Sequence, residues 1–570
     1  MQIVTPAQMK KLESESLKYG TPAQKLMSNA GTMLADLIDE YCRKEIIGEP
    51  ENKSIVFLAG SGNNGGDCFA AANKLVFRGY DITVISLCGK PKTKIAEAEY
   101  AKLPKDHIKL IRAYRSANVK AAIEAAELDY MTLSKDSDIA ALAKKDKKEL
   151  TSLEKIMLEE KQRLRRVFDA ISGADVLADG VFGTGFHGAL DDEISAFLSA
   201  STKAYKIAVD VPSGGNCETG GIADGAFKAD ETIAFGVLKT GMTQYPLKEY
   251  CGKITVADIG IPNEAYAALN NQRLYSLIDS NALREFPGER RPDAYKNQFG
   301  RVLLINGSRR MRGAAVLSTL ACLRSGAGLV CLASCEEACA ATAVLAPEAT
   351  FVPLETDYDG YLLYDSNKKI LAEEMERSDA VLIGCGMGVT SDTVELVRFV
   401  VNTAKCPIII DADGINCIAS DISILKNKRT DIVITPHAGE MARLLGCTND
   451  DVNRDRFAAS AGFAAEHGVT VLLKGAGTLI SDANYTAVNS TGNPGMSRGG
   501  SGDVLAGIVA AFVAAGHDVF DAAGYATYLH GLAGDITADK LSQQAMLPRD
   551  IIDSLSAAFS YIKEKNSAES

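Results

Sequence analysis

Short apolar runs alternate along this chain with segments in which apolar residues recur every three or four positions. Ile55 to Ala59 is such a run, and residues 26–41 show the helical recurrence. A continuous apolar run is typical of a strand that is buried on both faces, and the recurrence is typical of a helix with one buried face. With a further run at Ile82 to Leu87, the first half of the chain begins as a β-α-β unit.

The second half of the chain continues the alternation. Predicted strands fall near 301–306, 328–333, 379–383, 407–411, 431–434 and 469–474, with helices between them. Strands that alternate with helices over a whole domain form a mostly parallel sheet with helices on both faces. The sequence therefore predicts two three-layer α/β domains.

Two stretches break this pattern and suggest how the chain is divided. Residues 115–168 are rich in Lys, Glu and Ala, which predicts the exposed helices of a charged insertion. Residues 262–299 contain Pro262, Pro287, Gly288 and Pro292, as is typical of a linker. We therefore expect one domain over residues 1–275 and a second over residues 276–570.

Composition and charge exclude several classes of protein. Of the 570 residues, 46% are apolar and 24% are charged, as expected of a globular protein with roughly two to four domains. The formal net charge of −12 provides no basic surface for nucleic acid. No apolar run approaches the ~20 residues that span a membrane, and the N-terminus lacks the parts of a signal peptide. We expect a cytoplasmic protein that binds neither nucleic acid nor membranes.

The stretch from Asn493 to Asp503 carries the clearest chemical signal. Four of the eight residues from Gly495 to Gly502 are glycines, and Asp503 follows them at the start of a predicted helix. The backbone amides of such a turn and the positive end of the helix dipole bind phosphate. An aspartate held there can accept the proton of a hydroxyl group while the loop holds the phosphoryl group. The stretch predicts phosphoryl transfer to an alcohol; a tight loop with a helix-capping aspartate is the alternative.

Other candidate residues of the second half also follow predicted strands. They lie in the segments 307–315, 384–388, 411–413, 435–440 and 474–478. Ligands of open parallel sheets bind at the carboxyl ends of the strands, so these segments together predict a nucleotide-sized site. Taken singly, a lysine such as Lys474 at a strand end is usually a solvated charge. His437 is equally typical of a structural histidine, and Asp413 is typical of a helix cap.

Three oxygen-bearing side chains follow strands of the first half. Asn64, Asp179 and Ser213 are hard ligands, which suit an alkali or alkaline-earth cation. Each alone is typical of a turn, but three at strand ends favour a site. The neighbouring stretch Asn63 to Asp67 lacks the G-x-G-x-x-G spacing of a standard dinucleotide fingerprint.

The second half resembles the ADP/ATP-dependent NAD(P)H-hydrate dehydratases of the ribokinase-like superfamily. The resemblance runs from Lys296 to the Asp503 helix and rests on Thr-Pro-His-x-x-Glu, Lys-Gly-x-x-Thr and Gly-Gly-x-Gly-Asp. It implies that Asp503 is catalytic and that magnesium accompanies the nucleotide. The implied substrate residues are Ala314, Gly386, His437 and Asp503, and the implied nucleotide residues are Lys474, Gly475, Ala476, Gly477, Thr478 and Gly502. The chain departs from the family at Cys385, where proline is frequent, and at Tyr295, where histidine is frequent.

The first half resembles the NAD(P)H-hydrate epimerases, which have a Rossmann-like fold. The matching stretches are Gly62 to Asp67, Asp179 to Gly188 and Val209 to Gly214. The resemblance implies potassium at Asn64, Asp179 and Ser213. It implies substrate at Asn63, Asn64, Gly65, Gly66, Asp67, Gly183, Thr184, Gly185, Phe186, His187, Gly188, Ala189 and Asp210. Asp210 is the candidate for proton transfer; the alternative is that it only positions the ligand.

Together the two resemblances imply a bifunctional NAD(P)H-hydrate repair enzyme, with a Rossmann-like three-layer domain followed by a ribokinase-like three-layer α/β domain. Such an enzyme interconverts the R and S hydrates, NADHX and NADPHX, and dehydrates the S hydrate with ADP or ATP. Family habit and exposed strand edges suggest a homo-oligomer. One alternative is a vitamin or sugar kinase fused to a nucleotide-binding domain, and another is a non-catalytic module that senses nucleotides or binds a partner.

Overall fold

The computed structural model describes residues 1–115, 119, 151–283, 286 and 290–568. They form two compact units, an N-terminal unit of Ile3–Asn271 and a C-terminal unit of Met1–Gln2 and Gln272–Ser570. Much of the predicted charged insertion, residues 116–118 and 120–150, lies outside the described residues, and its last part is helical from Ser152. Among the described residues, no helix has both the length and the apolar character that crossing a membrane requires.

The N-terminal unit is a seven-stranded sheet with helices between its strands. After Gln2–Ile3 (β1), which belongs to the other sheet, the strands are Ser54–Ala59 (β2), Asp81–Ser86 (β3), Ile108–Arg112 (β4), Val176–Gly180 (β5), Tyr205–Val209 (β6), Glu231–Phe235 (β7) and Lys253–Ala257 (β8). The helices are Pro6–Ser16 (α1), Ala23–Glu45 (α2), Asn63–Val76 (α3), Lys94–Ala101 (α4), Ser152–Ser172 (α5), Asp192–Leu198 (α6) and Leu247–Tyr250 (α7). The strand order is β4-β3-β2-β5-β6-β7-β8, and each neighbouring pair is parallel.

The local sequence explains how the first helices and the central strand form. Thr5 caps α1 through a capping box with Gln8, and Pro6 occupies its first position. The cap residue of α2 is Pro22, which has an extended backbone and provides no side-chain hydrogen bond. Residues Ile55–Ala59 of β2 are all buried, which confirms the central strand inferred from the apolar run.

The C-terminal unit is built on a larger, mixed sheet. Its strands beyond β1 are Leu274–Ile278 (β9), Arg301–Ile305 (β10), Leu329–Ser334 (β11), Thr350–Pro353 (β12), Ala380–Ile383 (β13), Ile408–Ile410 (β14), Ile432–Ile434 (β15), Thr470–Leu473 (β16), Leu479–Ser481 (β17) and Tyr485–Asn489 (β18). The order is β1-β9-β18-β17-β16-β15-β14-β13-β10-β11-β12. The six predicted strands of this half are confirmed to within two residues, and β17 is antiparallel to both of its neighbours.

The helices of the C-terminal unit complete the α/β alternation. They are Arg312–Arg324 (α8), Glu336–Leu345 (α9), Tyr364–Met375 (α10), Ser391–Thr403 (α11), Asp413–Ser420 (α12), Ala438–Leu445 (α13), Asn449–Arg454 (α14), Arg456–His467 (α15), Ser501–Ala514 (α16), Val519–Leu541 (α17) and Pro548–Ala568 (α18). The prediction of a linker over residues 262–299 is wrong in part, because β9 lies inside this range and pairs with β18.

Helix α16 lies at the centre of the C-terminal core. Every residue from Val504 to Ala514 is buried, and the helix contacts α8 and α17. At Gly507 a Cβ atom would lie only 2.4 Å from the carbonyl oxygen of Ser318, so α8 and α16 cross at close range. Packing on all sides therefore fixes the first turn of α16, which carries Asp503.

A glycine after β2 allows an equally close approach in the N-terminal unit. A Cβ atom on Gly60 would lie 1.9 Å from the carbonyl oxygen of Val181, whereas one on Gly62 would meet open space. We expect Gly60→Ala to destabilise the N-terminal unit by about 1–3 kcal/mol, as overpacking does. Gly62→Ala is the matched control and should change stability by less than about 0.5 kcal/mol. Thermal unfolding of the two full-length variants, followed by circular dichroism, tests this; equal midpoints would contradict it.

Candidate active sites

The glycine-rich loop of the C-terminal unit is held in place by an aspartate from a neighbouring helix. Asp535 of α17 accepts hydrogen bonds from the backbone N–H of Gly492 and from Nδ2 of Asn493, each at 2.9 Å. The loop then enters α16 through Gly500, whose φ of 101° is in the left-handed region that favours glycine. Asp503 therefore lies in the first turn of a helix whose entry is fixed.

Two side chains from different strand ends meet Asp503 beside this helix start. Ligand atoms of Cys385, Asp411 and Asp503 all lie within 4.8 Å of one another. Oδ1 of Asp411 accepts hydrogen bonds from Lys474 at 2.7 Å and from Thr435 at 2.6 Å. Apart from Asp503, these residues follow β13, β14, β15 and β16. The carboxyl edge of the sheet therefore brings them together, as the sequence predicted.

The two aspartates differ in the charge that their surroundings favour. Burial raises the pKa of Asp503 to about 7, and the negative charge of Asp411 adds to the rise. Burial also opposes ionisation of Asp411, but the charge and hydrogen bond of Lys474 outweigh it and lower the pKa of that carboxyl. Asp411 is therefore the ionised partner of Lys474, while Asp503 can exchange a proton near neutral pH.

The predicted nucleotide residues surround the same lysine. A Cβ atom on Gly502 would lie 3.2 Å from Nζ of Lys474, which places the helix start against the ammonium group. After Lys474 the segment Gly475 to Thr478 folds into a turn, because Oγ1 of Thr478 donates to the carbonyl of Gly475 at 2.8 Å and accepts from its N–H at 3.2 Å. The ammonium, the turn and the start of α16 together suit a phosphate-bearing ligand.

Two of the predicted substrate residues of this unit are in contact. A Cβ atom on Gly386 would lie 2.8 Å from Cβ of Ala314, so the loop after β13 lies against the first turn of α8. The φ of 65° at Gly386 also favours glycine. Ala314 and Gly386 therefore form one wall beside Cys385.

His437 has a structural role as well as a candidate binding role. Its Nδ1 accepts a hydrogen bond from the backbone N–H of Gly439 at 2.9 Å, and the backbone N–H of His437 donates to the Glu440 side chain at 2.8 Å. Together these bonds form a capping box for α13. Burial and the nearby charge of Lys474 lower its pKa, so the ring is neutral at pH 7. Because Nδ1 accepts, the ring proton is on Nε2. The side chain is 55% exposed and free to meet a ligand.

The candidate cation site of the N-terminal unit centres on a buried carboxylate. Asp179 is fully buried at the end of β5. It accepts hydrogen bonds from Oγ of Ser213 at 2.6 Å, from the backbone N–H of Ser213 at 2.7 Å and from the backbone N–H of Val181 at 3.1 Å. Burial raises its pKa to about 6, against these hydrogen bonds. Among the described residues, no lysine or arginine forms an ion pair with Asp179, so the donor set fits a bound cation.

Asn64 faces two further oxygen atoms of this site. Its Nδ2 donates to the carbonyl oxygens of Phe182 at 2.8 Å and Val209 at 3.0 Å. The structure thus directs the amide nitrogen, and not the oxygen, toward the carbonyl groups. An ion coordinated by Asn64 requires the amide to turn over, a change that its shape permits.

The other predicted residues of the N-terminal unit line the same strand ends. A Cβ atom on Gly183 would lie 3.4 Å from the Asn64 side chain. Nδ1 of His187 lies 3.4 Å from Nδ2 of Asn216. Gly188 and Ala189 are exposed. The segment 183–189 therefore runs from the candidate cation site to the surface.

Asp210 lies at the end of β6 with a partner that the sequence analysis missed. Its Oδ1 accepts the N–H of Phe235 at 2.9 Å and contacts Nζ of Lys239, whose side chain is fully buried. Lys239 is the single charged residue between 233 and 243, and a lone charge in an apolar run was the available signal. Asp411 and Glu440 were likewise seen only as parts of motifs, and not as partners of Lys474.

Two family profiles match the chain, one in each unit. The family described as NAD(P)H-hydrate dehydratase matches residues 302–557. The family described as YjeF-related protein N-terminus matches residues 23–241. These ranges contain the candidate residues of the C-terminal and N-terminal units, respectively.

Full-length relatives contain both halves. The bifunctional NAD(P)H-hydrate repair enzyme Nnr of Moorella thermoacetica is 32% identical over 569 residues, 99% of this chain and 98% of the relative. The enzyme of that name from Thermofilum pendens is 31% identical, over 99% of this chain and 97% of the relative. Among solved structures, the ADP/ATP-dependent NAD(P)H-hydrate dehydratase of Bacillus subtilis, co-crystallised with ATP and Mg²⁺, is 27% identical; the match covers 50% of this chain and 98% of that one, with a TM-score of 0.45.

A reaction that uses Asp503 as its base should lose rate below neutral pH. The pKa of this carboxyl is raised to about 7, so at lower pH it is protonated and cannot accept a proton. We expect about a tenfold fall in kcat/KM per pH unit below this value. Asp411→Asn should move the fall to lower pH, because it removes the adjacent negative charge. Initial rates of both proteins between pH 5 and 9 test this. In the unsubstituted protein, a fall in rate at a pH near the ordinary pKa of an aspartate would contradict it.

Proposed function

Because the chain belongs to the family of bifunctional NAD(P)H-hydrate repair enzymes, we propose that it restores hydrated NADH and NADPH in two reactions. The N-terminal unit interconverts the R and S hydrates, and the C-terminal unit dehydrates the S hydrate with ADP or ATP. The observation that carries the proposal is the position of Asp503, at a glycine-rich helix start beside Lys474. A cytoplasmic location and a homo-oligomer stay predictions.

The C-terminal residues suit transfer of a phosphoryl group to the hydroxyl on carbon 6 of the nicotinamide ring. Asp503 accepts the hydroxyl proton, the oxygen forms a bond to the terminal phosphorus, and AMP or ADP leaves. The amides of Gly499 to Gly502 stabilise the charge on the transferred group. Phosphate, a far better leaving group than hydroxide, then departs from carbon 6 while carbon 5 loses a proton, which restores the double bond.

Lys474 and Asp411 prepare this site electrostatically. The ammonium group lies beside Gly502 and would face the phosphates of the nucleotide at Lys474 to Thr478. Asp411 holds it there by the 2.7 Å ion pair. Magnesium is expected with the nucleotide, where it would neutralise part of the phosphate charge. Ala314, Gly386 and His437 would hold the dinucleotide.

The N-terminal residues suit a cation site next to a substrate site. Asp179 and Ser213, with Asn64 turned over, would hold potassium, which would fix the loop after β5 and orient the substrate. Substrate would bind along Asn63 to Asp67 and residues 183–189. Asp210 is the candidate that moves the proton during epimerisation.

Replacing the proposed base should separate the two activities. We expect Asp503→Asn to lower dehydration of the S hydrate by ~10²–10⁴-fold with ADP and with ATP, the scale of general-base catalysis. Interconversion of the R and S hydrates should be unchanged, because its residues lie in the other unit. Recovery of absorbance at the NADPH band measures the first activity, and chromatography of the hydrates measures the second. Normal dehydration by the variant would exclude Asp503 as the base.

The reaction products separate this proposal from a small-molecule kinase. A vitamin or sugar kinase would leave a stable phosphorylated product, whereas the dehydratase releases orthophosphate and NADPH in equal amounts. Incubation of a mixture of R and S hydrates with ADP or ATP, followed by chromatography, distinguishes them. Consumption of both hydrates supports the epimerase as well, and consumption of the S hydrate alone would contradict it.

Potassium should stabilise the N-terminal unit through Asp179. We expect KCl to raise the unfolding midpoint more than LiCl at equal ionic strength, because a bound ion stabilises only the folded state. Asp179→Asn should abolish the difference. Asp175→Asn is the matched control, since Asp175 accepts the N–H of Ser54 at 2.7 Å at the other end of β5 and should keep the potassium effect. Scanning calorimetry of the three proteins measures it; a potassium effect that persists in Asp179→Asn would contradict the assignment.

A further inference from the structure

Lys239 of the N-terminal unit is a buried lysine that the proposed chemistry has not used. Its side chain is fully buried, and its Nζ donates to the carbonyl oxygen of Phe235 at 2.9 Å and contacts Oδ1 of Asp210. Burying an ammonium group is costly unless a carboxylate lies beside it. Lys239 and Asp210 therefore form an ion pair in which the lysine is shielded from solvent.

Asp210 is held in one orientation by this contact and by the backbone. Its φ of 65° is in the left-handed region, which is uncommon for a residue with a side chain. Its N–H donates to the carbonyl of Ile233 at 2.9 Å, and Oδ1 accepts the N–H of Phe235 at 2.9 Å. The side chain remains 15% exposed. A strained, fixed carboxylate that still reaches solvent is typical of a functional site.

Other acidic groups around Asp210 compete for the same cation. Asp67 of α3 is buried, and burial and the charge of Asp210 raise its pKa well above the ordinary value. Glu13 of α1 keeps contact with solvent, but the surrounding protein and the charge of Asp210 raise its pKa too. Burial and the charge of Asp210 raise the pKa of Cys217. The charge of Lys10, on the same helix as Glu13, opposes the rise in the pKa of Glu13. Lys239 is thus the fully buried cation among three carboxyl groups.

We propose that Lys239 is a positioning residue for epimerisation, which holds the carboxylate of Asp210 in the orientation that faces the substrate. The inference rests on the proposed epimerase function. Asp67 and Asp210 both belong to stretches that would contact the hydrate. General acid–base catalysis requires the catalytic carboxyl group to lie within reach of the proton that it transfers, so the contact with Lys239 bears directly on the rate.

A second buried lysine offers a matched control for the loss of packing. Lys53 is 3% exposed, and its Nζ donates to the carbonyl oxygen of Cys42 at 2.8 Å. Among the described residues it forms no ion pair with a carboxylate, and it precedes β2, at the opposite end of that strand from Asn63 to Asp67. Lys53→Met thus removes a buried ammonium without touching the acidic cluster.

The test compares Lys239→Met, Lys239→Arg and Lys53→Met in the full-length protein. Epimerisation is measured without nucleotide by chromatography of the R and S hydrates between pH 5 and 9, and dehydration of the S hydrate is measured separately. We expect Lys239→Met to lower kcat for epimerisation by roughly 10²–10⁴-fold at pH 7, the scale of acid–base catalysis. The loss of rate on the acid side should also move to higher pH, because the buried site no longer favours a carboxylate. Lys239→Arg should keep the original pH profile.

Each outcome decides the proposal. A pH profile of Lys239→Met that matches the unsubstituted protein, or an equal loss of epimerisation in Lys53→Met, would overturn the positioning role. Unfolding midpoints and the dehydration rate show whether a variant is folded; if Lys239→Met does not fold, the profile of Lys239→Arg decides, since a shifted profile there contradicts the role. An unsubstituted protein without epimerisation would instead refute the proposed function itself.

Discussion

In each unit one lysine forms an ion pair with an aspartate, close to a second aspartate whose pKa burial raises. Lys474 pairs with Asp411, and the pKa of nearby Asp503 is raised. Lys239 pairs with Asp210, and the pKa of Asp67 is raised. The two units share no motif, yet both place one cation between acidic groups. Burial opposes every charge in such a cluster, and the lysine offsets that penalty most for the carboxylate that it contacts.

The sheets explain why these clusters form where they do. In a parallel sheet the carboxyl ends of all strands lie on one edge, so residues far apart in sequence meet there. Asp411 and Lys474 are 63 residues apart, and Asp179 and Ser213 are 34 apart, yet both pairs are in direct contact. Tight glycine contacts, as at Gly60 and Gly507, hold the strand ends and helix starts at close distance. The corresponding edge of each sheet holds the candidate catalytic carboxylate in one unit and the candidate cation site in the other.

Apolar patterning predicted the elements where burial is complete and missed those where it is partial. Strand β2 and the six predicted strands of the C-terminal unit are largely apolar runs, and they were predicted to within two residues. Strand β9 was predicted as part of a linker because prolines lie nearby in the sequence. Its residues Leu274 to Ser276 are only half-buried, so no continuous apolar run marks the strand. Strands β12, β17 and β18 were also missed; they are short or antiparallel, and pairing with neighbours rather than local pattern makes them strands.

The sequence by itself determined the α/β class, the strand ends that carry chemistry and the residues of the glycine-rich loop, because these depend on local spacing and on the polarity of each residue. Only the tertiary structure decided that Asp411 neutralises Lys474, that the Asn64 amide nitrogen faces two carbonyl groups and that Lys239 is buried against Asp210. Charge states depend on distance and on exclusion of water. Neither quantity is encoded in any single segment, since both arise only when distant segments pack together.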